Sequence, residues 1–192
     1  MNAKTYPMNR KQTGFTLIEL MITLLIAAIL LSQAVPSFMT MLQNNRITTQ
    51  VNDYVTSLNV ARSEAVKRGG RITVCKSANN AACTNAGNWE QGWIIFNDTD
   101  NDAVVDAGEE VIRAHGALEA GITLVGSVNI ANYISFVGTG FSQLTDGNAQ
   151  NGELVMCDSR GFGSDARAIV LSASGSARTA PANDATVAAN SC

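Results

Sequence analysis

The sequence predicts an α+β protein in which one long N-terminal helix, membrane-spanning in its first half, packs on an antiparallel β-sheet. Three observations support this fold class. An almost unbroken apolar run fills residues 15–35, an apolar stripe with a helical period continues to about residue 70, and short β-rich runs follow. We therefore divide the 192 residues into a basic segment (1–14), a membrane helix (15–35), its amphipathic continuation (36–70) and a β-rich domain (71–192).

The first element is a hydrophobic segment long enough to cross a bilayer. Residues 15–35 supply about the 20 apolar residues that a transmembrane helix requires. The preceding residues carry Lys4, Arg10 and Lys11 and no acid, so the positive-inside tendency keeps them in the cytoplasm and sends the rest of the chain outward. A secretory signal peptide is disfavoured, because its apolar region has only roughly 7–15 residues and ends at a small-residue cleavage site.

The second element continues the helix beyond Pro36. This proline removes one backbone hydrogen bond, and we expect a kink or a local loosening there. Farther along, apolar side chains recur every three or four residues and predict one buried stripe, which comprises Val51, Tyr54, Val55, Leu58, Ala61 and Ala65. Two basic residues at 67–68 suit the negative end of the helix, and two glycines at 69–70 terminate it.

The third element, residues 71–192, has the pattern of antiparallel strands. Short runs rich in Val, Ile and aromatic residues are separated by Gly, Asn, Asp and Ser. The runs are RITVCK, GWIIFND, EEVIRAH, GITLVGS, NYISFVG, ELVMCD and ARAIVLSAS. Parallel strands need long crossover connections, usually helices, and no such helical stretch follows residue 70. A Rossmann-type sheet is therefore disfavoured.

One ionisable residue, Glu19, interrupts the apolar run. An ionised side chain in lipid costs about 2.5–3.5 kcal/mol on insertion scales, so a specific partner on assembly is favoured over a place among headgroups. The surrounding sequence, KQTGFTLIELM, resembles the N-terminal signal of type IV prepilins and type II secretion pseudopilins. The resemblance implies that a prepilin peptidase cleaves between Gly14 and Phe15 and methylates Phe15. It also implies that Glu19 pairs with the new terminal amine of a neighbouring subunit.

Processing of this kind changes the charge and sets the location. Loss of the leader leaves 10 basic against 16 acidic residues, a net charge of −6, which offers no general attraction to nucleic acid. The resemblance implies a single-pass precursor in a bacterial inner membrane, with a cytoplasmic leader and a periplasmic domain, that later joins a pilus or pseudopilus. Its implied partners are the peptidase, inner-membrane lipid before assembly, and other minor and major pilins.

A second resemblance lies in the β-rich region. The stretch GWIIFNDTDNDAVVDAGEEVIR is similar to the strand–turn–strand signature of the GspH/FimT branch of minor pilins and pseudopilins. With the N-terminal motif, the chain is identified as a member of the GspH/FimT/FimU family, and it resembles FimU-like minor pilins most. The implied function is that of a structural minor pilin in an assembly-priming complex at the tip of a type IV pilus. Two alternatives stay open, a GspH-type pseudopilin of type II secretion and a FimT-type DNA receptor for natural transformation.

The four cysteines, Cys75, Cys83, Cys157 and Cys192, all follow the membrane segment. An even count in an oxidising compartment predicts two disulfides with three possible connectivities, among which local pairing favours Cys75–Cys83 and Cys157–Cys192. Pilins tend to have a disulfide that holds the C-terminal tail, whereas GspH-type pseudopilins usually lack both pairs, which favours the pilus. Zinc is disfavoured, because the chain has no C-x-x-C pair and a single histidine, His115.

An acidic run at residues 98–109 has the spacing of a calcium loop. Asp98, Asp100, Asp102 and Glu109 occupy ligand positions of an EF-hand. Ala103, however, stands where that loop needs glycine, and the flanking segments are predicted strands rather than helices. We favour a polar hairpin turn over a calcium site, and a calcium site of another type stays open as an alternative.

Basic residues near the C-terminus bear on the DNA alternative. FimT-type receptors carry a Gly-Arg-x-Arg motif, and the corresponding stretch here, residues 175–178, is Gly-Ser-Ala-Arg. Arg160, Arg167 and Arg178 are candidates for a shared phosphate-binding face. Three arginines in an acidic domain neutralise few phosphates, so DNA is disfavoured as a partner.

No set of catalytic residues emerges from the sequence. A Ser-His-Asp or Cys-His arrangement would depend on His115, and no G-x-S-x-G nucleophile motif occurs. We predict that the protein is not an enzyme and needs no cofactor.

Overall fold

The computed structural model describes residues 14–184 and residue 192. These residues belong to two compact units, Met1–Leu42 and Gln43–Cys192. Apart from Gly14, the predicted leader lies outside the described residues. One helix, α1 (Leu17–Arg68), begins in the first unit and ends in the second.

Local sequence explains both ends of α1. Thr16 precedes the first helical residue, and its hydroxyl accepts a hydrogen bond from the backbone N–H of Glu19 at 3.3 Å, as an N-cap does. At the other end, Gly69 adopts a left-handed conformation (φ +66°) and its N–H bonds to the carbonyl of Ala65 at 2.9 Å. A Cβ on Gly138 would come within 2.9 Å of backbone atoms of Gly69. Any side chain at position 138 would therefore clash with the end of the helix.

The described residues of the second unit form eight strands in two antiparallel sheets. The first sheet has the order β3-β2-β1-β5 and the second has the order β4-β6-β7-β8. The strands are β1 (Ile72–Lys76), β2 (Trp93–Asn97), β3 (Val111–His115), β4 (Thr123–Gly126), β5 (Tyr133–Phe136), β6 (Gly152–Cys157), β7 (Arg167–Leu171) and β8 (Ala177–Pro181). The predicted class is confirmed, but the predicted sheet is divided in two. Strand β5 pairs with β1 in the first sheet, with Ile72 opposite Phe136, whereas β4 pairs with β6 in the second sheet.

The main core lies between the helix stripe and the inner faces of both sheets. Five of the six predicted stripe residues are buried, and the sixth, Val55, is half-buried. Tyr54 is fully buried and meets the ring of Trp89 at 5.5 Å and that of Trp93 at 4.8 Å, both edge to face. Such aromatic pairs add about 0.5–1.5 kcal/mol beyond the burial of their area. The second half of α1 is thereby fixed to the sheets.

Each sheet also buries a smaller cluster on its outer face. The outer cluster of the first sheet contains Cys75, Ile94 and Phe96. The outer cluster of the second sheet is built from smaller side chains, namely Val155, Cys157, Ala166, Ala168 and Ala182. Both clusters include a disulfide-bonded cysteine, so a cross-link closes each outer face.

Candidate functional site

The predicted cleavage position lies in an open stretch before α1. Among the described residues other than its chain neighbours, no heavy atom lies within 4 Å of a Cβ built on Gly14, and Phe15 is 84% exposed. Both residues precede the first helical residue, Leu17. The geometry leaves this peptide bond accessible, and cleavage there stays a prediction.

Glu19 occupies the third helical position, three residues after the capping Thr16. The pair has the capping-box spacing, in which an acid at this position favours the helix start. The positive end of the helix dipole also favours a carboxylate in the first turn. Glu19 therefore has a local role in addition to the predicted intermolecular one. The Thr-x-x-Glu spacing is a signal from which Thr16 could have been found.

The first half of α1 exposes an apolar surface along its whole length. Every residue from 14 to 42 is exposed, and the helix contains a stretch long and apolar enough to cross a membrane. Two of its hydroxyl groups bond to the preceding turn of the helix: Thr23 donates to the carbonyl of Leu20 at 2.8 Å, and Ser32 to that of Ile29 at 2.7 Å. A helix in lipid needs its polar groups satisfied internally in this way.

Pro36 lies inside this half of the helix. Its own carbonyl accepts a hydrogen bond from the hydroxyl of Thr40 at 3.1 Å. Hydroxyls that bond back to the preceding turn often accompany bends, although the bend at Pro36 stays a prediction.

The disulfides join the cysteine pairs that local pairing favours. Cys75 and Cys83 are bonded across a separation of 8 residues, with their Cα atoms 5.5 Å apart. Cys157 and Cys192 are bonded across 35 residues, with their Cα atoms 5.8 Å apart. The first bond closes the loop after β1, and the second attaches residue 192 to the end of β6.

Three acids of the 98–109 run lie together. One oxygen each from Asp98, Asp100 and Asp102 falls within a cluster 4.8 Å across. Ala103 adopts a left-handed conformation (φ +61°). Glycine adopts this conformation more readily than alanine does. Binding of calcium at these acids stays a prediction.

The fourth predicted ligand, Glu109, is engaged elsewhere. Its carboxylate accepts hydrogen bonds from the backbone and hydroxyl of Thr99, at 2.6 and 3.0 Å, and from the N–H of Asp106 at 3.2 Å. Burial raises the pKa of Asp98, and the hydroxyl of Thr73, at 2.6 Å, opposes that rise. The arrangement is that of a hydrogen-bonded turn between β2 and β3.

A buried arginine that the sequence did not reveal holds this turn in place. Arg71 is 8% exposed, and its guanidinium donates to Asn101 in the turn at 2.9 Å and to Ser135 in β5 at 2.6 Å. It also donates to the carbonyls of Gln143 and Leu144 at 2.8 and 3.3 Å. Arg71 therefore joins three segments that are far apart in sequence. No local sequence pattern predicts this role.

The three candidate arginines are already used within the domain. Arg160 pairs with Asp158 at 2.7 Å, and this contact lowers the pKa of that carboxyl. Arg167 donates to the carbonyls of residues 164–166 at 2.9–3.4 Å. Arg178 also interacts within the chain. Strand alternation places Arg167 and Arg178 on opposite faces of the second sheet, so the predicted shared face does not form.

The histidine is likewise part of the packing. The ring of His115 stacks on that of Trp93, with centroids 4.0 Å apart and an angle of 3° between the planes. Its Nδ1 lies 2.8 Å from the carbonyl oxygen of Gly116. These contacts give His115 a structural role at the edge of the first sheet.

Sequence profiles of known families match both parts of the chain. Residues 9–32 match the prokaryotic N-terminal methylation motif, and residues 50–175 match the profile described as type II transport protein GspH. A methylation motif ahead of a helix packed on antiparallel sheets defines a minor pilin or pseudopilin, a class whose members assemble with other pilins. The GspH profile matches more than half of the sequence, and the chain belongs to that family. The resemblance predicted from the sequence is confirmed.

Solved structures agree with this assignment at the level of the fold. The type IV minor pilin FimU of Pseudomonas aeruginosa is similar with 19% identity and a TM-score of 0.53, covering 73% of this chain and 92% of that one. The minor pseudopilin EpsH from the type II secretion system of Vibrio cholerae is similar with 9% identity and a TM-score of 0.50, covering 72% and 98%. No curated protein sequence matches significantly.

Proposed function

We propose that this protein is a FimU-like minor pilin, made as a membrane-anchored precursor and then incorporated into an assembly-priming complex at the tip of a type IV pilus. The observation that carries the proposal is that every residue from 14 to 42 is exposed. An apolar surface of this extent needs a bilayer or other subunits to cover it. Lipid covers it before assembly, and neighbouring pilin helices cover it afterwards.

The processing step follows from the same end of the helix. Cleavage after Gly14 would leave Phe15 as the N-terminal residue, one position before the capping Thr16. The amine of one subunit and Glu19 of the next would then neutralise each other where each charge alone is costly. This pairing would set the axial position of one subunit against its neighbour.

A type II secretion pseudopilin is the second candidate. The description of the matched family profile and the likeness to EpsH support it, whereas the two disulfides support the pilus. The two candidates share the anchor, the processing and the fold. They differ in the apparatus that the protein joins.

Deletion of the gene in the source bacterium separates these candidates. We expect loss of surface pili with normal export of secreted enzymes, and restoration of pili by the full-length gene. Mass spectrometry of sheared pili should then find the chain beginning with methylated Phe15. Normal pili with defective secretion would assign the protein to the secretion system instead.

A further inference from the structure

A heptad repeat of uncharged polar side chains runs along the second half of α1. Three asparagines recur at intervals of seven residues, and a hydroxyl residue lies four positions after each of them. All six side chains are exposed. Alternating intervals of four and three residues are those of the contact positions in a coiled coil. We call this set the polar seam, which comprises Asn45, Thr49, Asn52, Thr56, Asn59 and Ser63.

The polar seam lies on the side of α1 that is opposite to the core. A helix turns by about 100° per residue, which places the three asparagines roughly 140–180° around the axis from the fully buried Tyr54. The sheets pack on the side of Tyr54 and leave the seam open to a second helix. A groove of about 300 Å³ follows the later part of the seam and is lined by Thr56, Asn59, Val60, Ser63 and Glu64.

Charged side chains are absent from the polar seam. Along residues 45–63 they are Arg46, Asp53 and Arg62, which lie beside the seam rather than on it. Arg46 pairs with Glu119 at 2.6 Å, and Arg62 donates to the carbonyl of Gly140 at 2.8 Å, so both are directed to their own domain. The outer face of a surface helix ordinarily carries charges. Six uncharged positions in succession therefore favour contact with another uncharged surface.

The hydrogen-bonding groups of the polar seam suit an identical partner. The hydroxyls of Thr49 and Ser63 donate to the carbonyls of Asn45 and Asn59, four residues earlier, at 2.9 and 2.7 Å. The side-chain amides of the three asparagines have no hydrogen-bond partner within the part of the chain that the structure describes. A side-chain amide is both donor and acceptor, so each asparagine can pair with the same asparagine of another copy. Asparagine at a helix contact position also fixes the register of two helices.

The spacing of the polar seam continues toward the N-terminus through apolar residues. In sequence, the same intervals lead from Asn45 back through Leu42, Phe38 and Val35. These three residues belong to the exposed segment that, under the proposed function, other pilins cover. Copies anchored in one membrane share one orientation, so their helices are parallel. Parallel packing brings the same asparagines opposite one another in all three repeats.

We infer that the polar seam is a contact surface for the same seam of a second copy of this chain, packed parallel to it. This inference rests on the proposed function, because it requires both copies to be anchored in one membrane through residues 15–35. The seam buries little apolar area, so the contact is weak by itself. The common membrane supplies the effective concentration that makes it form.

Disulfide cross-linking in membranes tests this contact. The full chain is expressed in a host that has no other pilins, with Asn52→Cys in one strain and the matched control Asp53→Cys in another. Both positions are exposed and adjacent, but only position 52 belongs to the polar seam, and the four native cysteines are already bonded. After oxidation with copper phenanthroline, we expect at least about five-fold more covalent dimer from Asn52→Cys, since a disulfide needs Cα atoms within about 7 Å.

A second substitution at Asn59 shows whether the whole seam is in contact. In the Asn52→Cys chain, Asn59→Lys places two like charges opposite each other and should lower the dimer yield at least about five-fold. Asn59→Leu should keep or raise the yield, because leucine packs well at such positions. The position is exposed, so neither change should alter the folded domain, which near-ultraviolet circular dichroism checks.

The possible outcomes separate this inference from the proposed function. Release of the chain from membranes by alkaline carbonate overturns the membrane anchor and with it this contact. An anchored chain with equal dimer yields at positions 52 and 53 overturns the contact alone, as do equal yields for Asn59→Lys and Asn59→Leu. Cross-linking of Asn52→Cys only to a different, co-expressed pilin would assign the polar seam to that pilin and overturn the contact between copies.

Discussion

The two halves of helix α1 differ both in apolar content and in surroundings, since the first half is apolar on all sides and the second carries a single apolar stripe. In the first half, Leu25 is 61% exposed, as are its apolar neighbours to a similar degree. In the second half, Leu58 is 1% exposed and belongs to the core cluster that includes residues of both sheets. The same residue type thus serves external contacts in one half and the fold in the other. Substitutions in the first half should therefore alter contacts with other molecules, whereas substitutions in the second half should alter the stability of the domain.

The largest effect is expected at the processing position. Gly14→Leu should abolish cleavage, because the resemblance implies a peptidase that requires a small residue there. The surroundings of Gly14 are open, so the substitution does not disturb packing. Mass spectrometry should find the leader retained, whereas the control Gln12→Leu is processed normally. A methylated Phe15 in the Gly14→Leu protein would contradict the prediction.

The next effect concerns the charge of Glu19. Glu19→Gln keeps a residue that suits the capping box but removes the charge, whereas Glu19→Ala removes both. If pairing with a neighbour's amine is what matters, both variants should be depleted from sheared pili by roughly tenfold, the effect of about 1.4 kcal/mol. Membrane levels of both should stay normal in immunoblots. Normal incorporation of Glu19→Gln with loss of Glu19→Ala would instead make the cap the important feature.

A matched pair of leucines measures the difference between the halves directly. Leu58→Ala should destabilise the domain by about 2–5 kcal/mol, the range for large-to-small core substitutions. Leu25→Ala should change domain stability by less than about 0.5 kcal/mol, since its side chain is exposed. Urea titration of the mature chain in detergent, followed by near-ultraviolet circular dichroism, compares the two. Equal changes in the free energy of unfolding for the two variants would contradict this difference between the halves.

The smallest effect is the acid dependence contributed by Asp158. The hydrogen bond from Arg160 lowers the pKa of this carboxyl in the folded domain, below the value of about 3.9 in the unfolded chain. Its stabilising contribution is therefore present above the unfolded pKa and is lost as the pH falls through the folded one. Asp158→Asn should remove this part of the acid-side loss, on the order of 1 kcal/mol.

Urea titrations of both proteins between about pH 2 and 6 measure this difference, since that range spans the pKa of a carboxyl. The opposite contribution of Asp98, whose pKa burial raises, is common to both proteins and cancels. Identical pH profiles would show that the Arg160–Asp158 pair contributes nothing to stability.

Local patterns were sufficient for most of the secondary structure. The spacing of apolar residues predicted the buried face of α1, and the glycines at 69–70 predicted its end. Ile47 is also buried but was outside the predicted stripe. It lies one turn before Val51, where polar neighbours interrupt the apolar pattern.

Contacts between residues that are far apart along the chain could not be predicted from local sequence patterns. Alternation along a strand shows which side chains share a face, but it does not show which strand is the neighbour. The pairing of β1 with β5 and the division into two sheets were therefore not predicted. Arg71 was missed for the same reason, since its partners lie 30 to 73 residues away. The two sequence resemblances were informative because each is a local motif.

The two disulfides make the stability of the domain depend on the redox conditions of its compartment. In the chain-entropy model, a cross-link across 8 residues contributes about 2.5 kcal/mol, and one across 35 residues contributes about 3.8 kcal/mol. Domains of ordinary size have a total stability of only about 5–15 kcal/mol. A reduced chain would thus lose a large share of its margin. In the topology proposed above, the disulfides would form only after export, so a subunit would gain this stability on the side of the membrane where the filament is built.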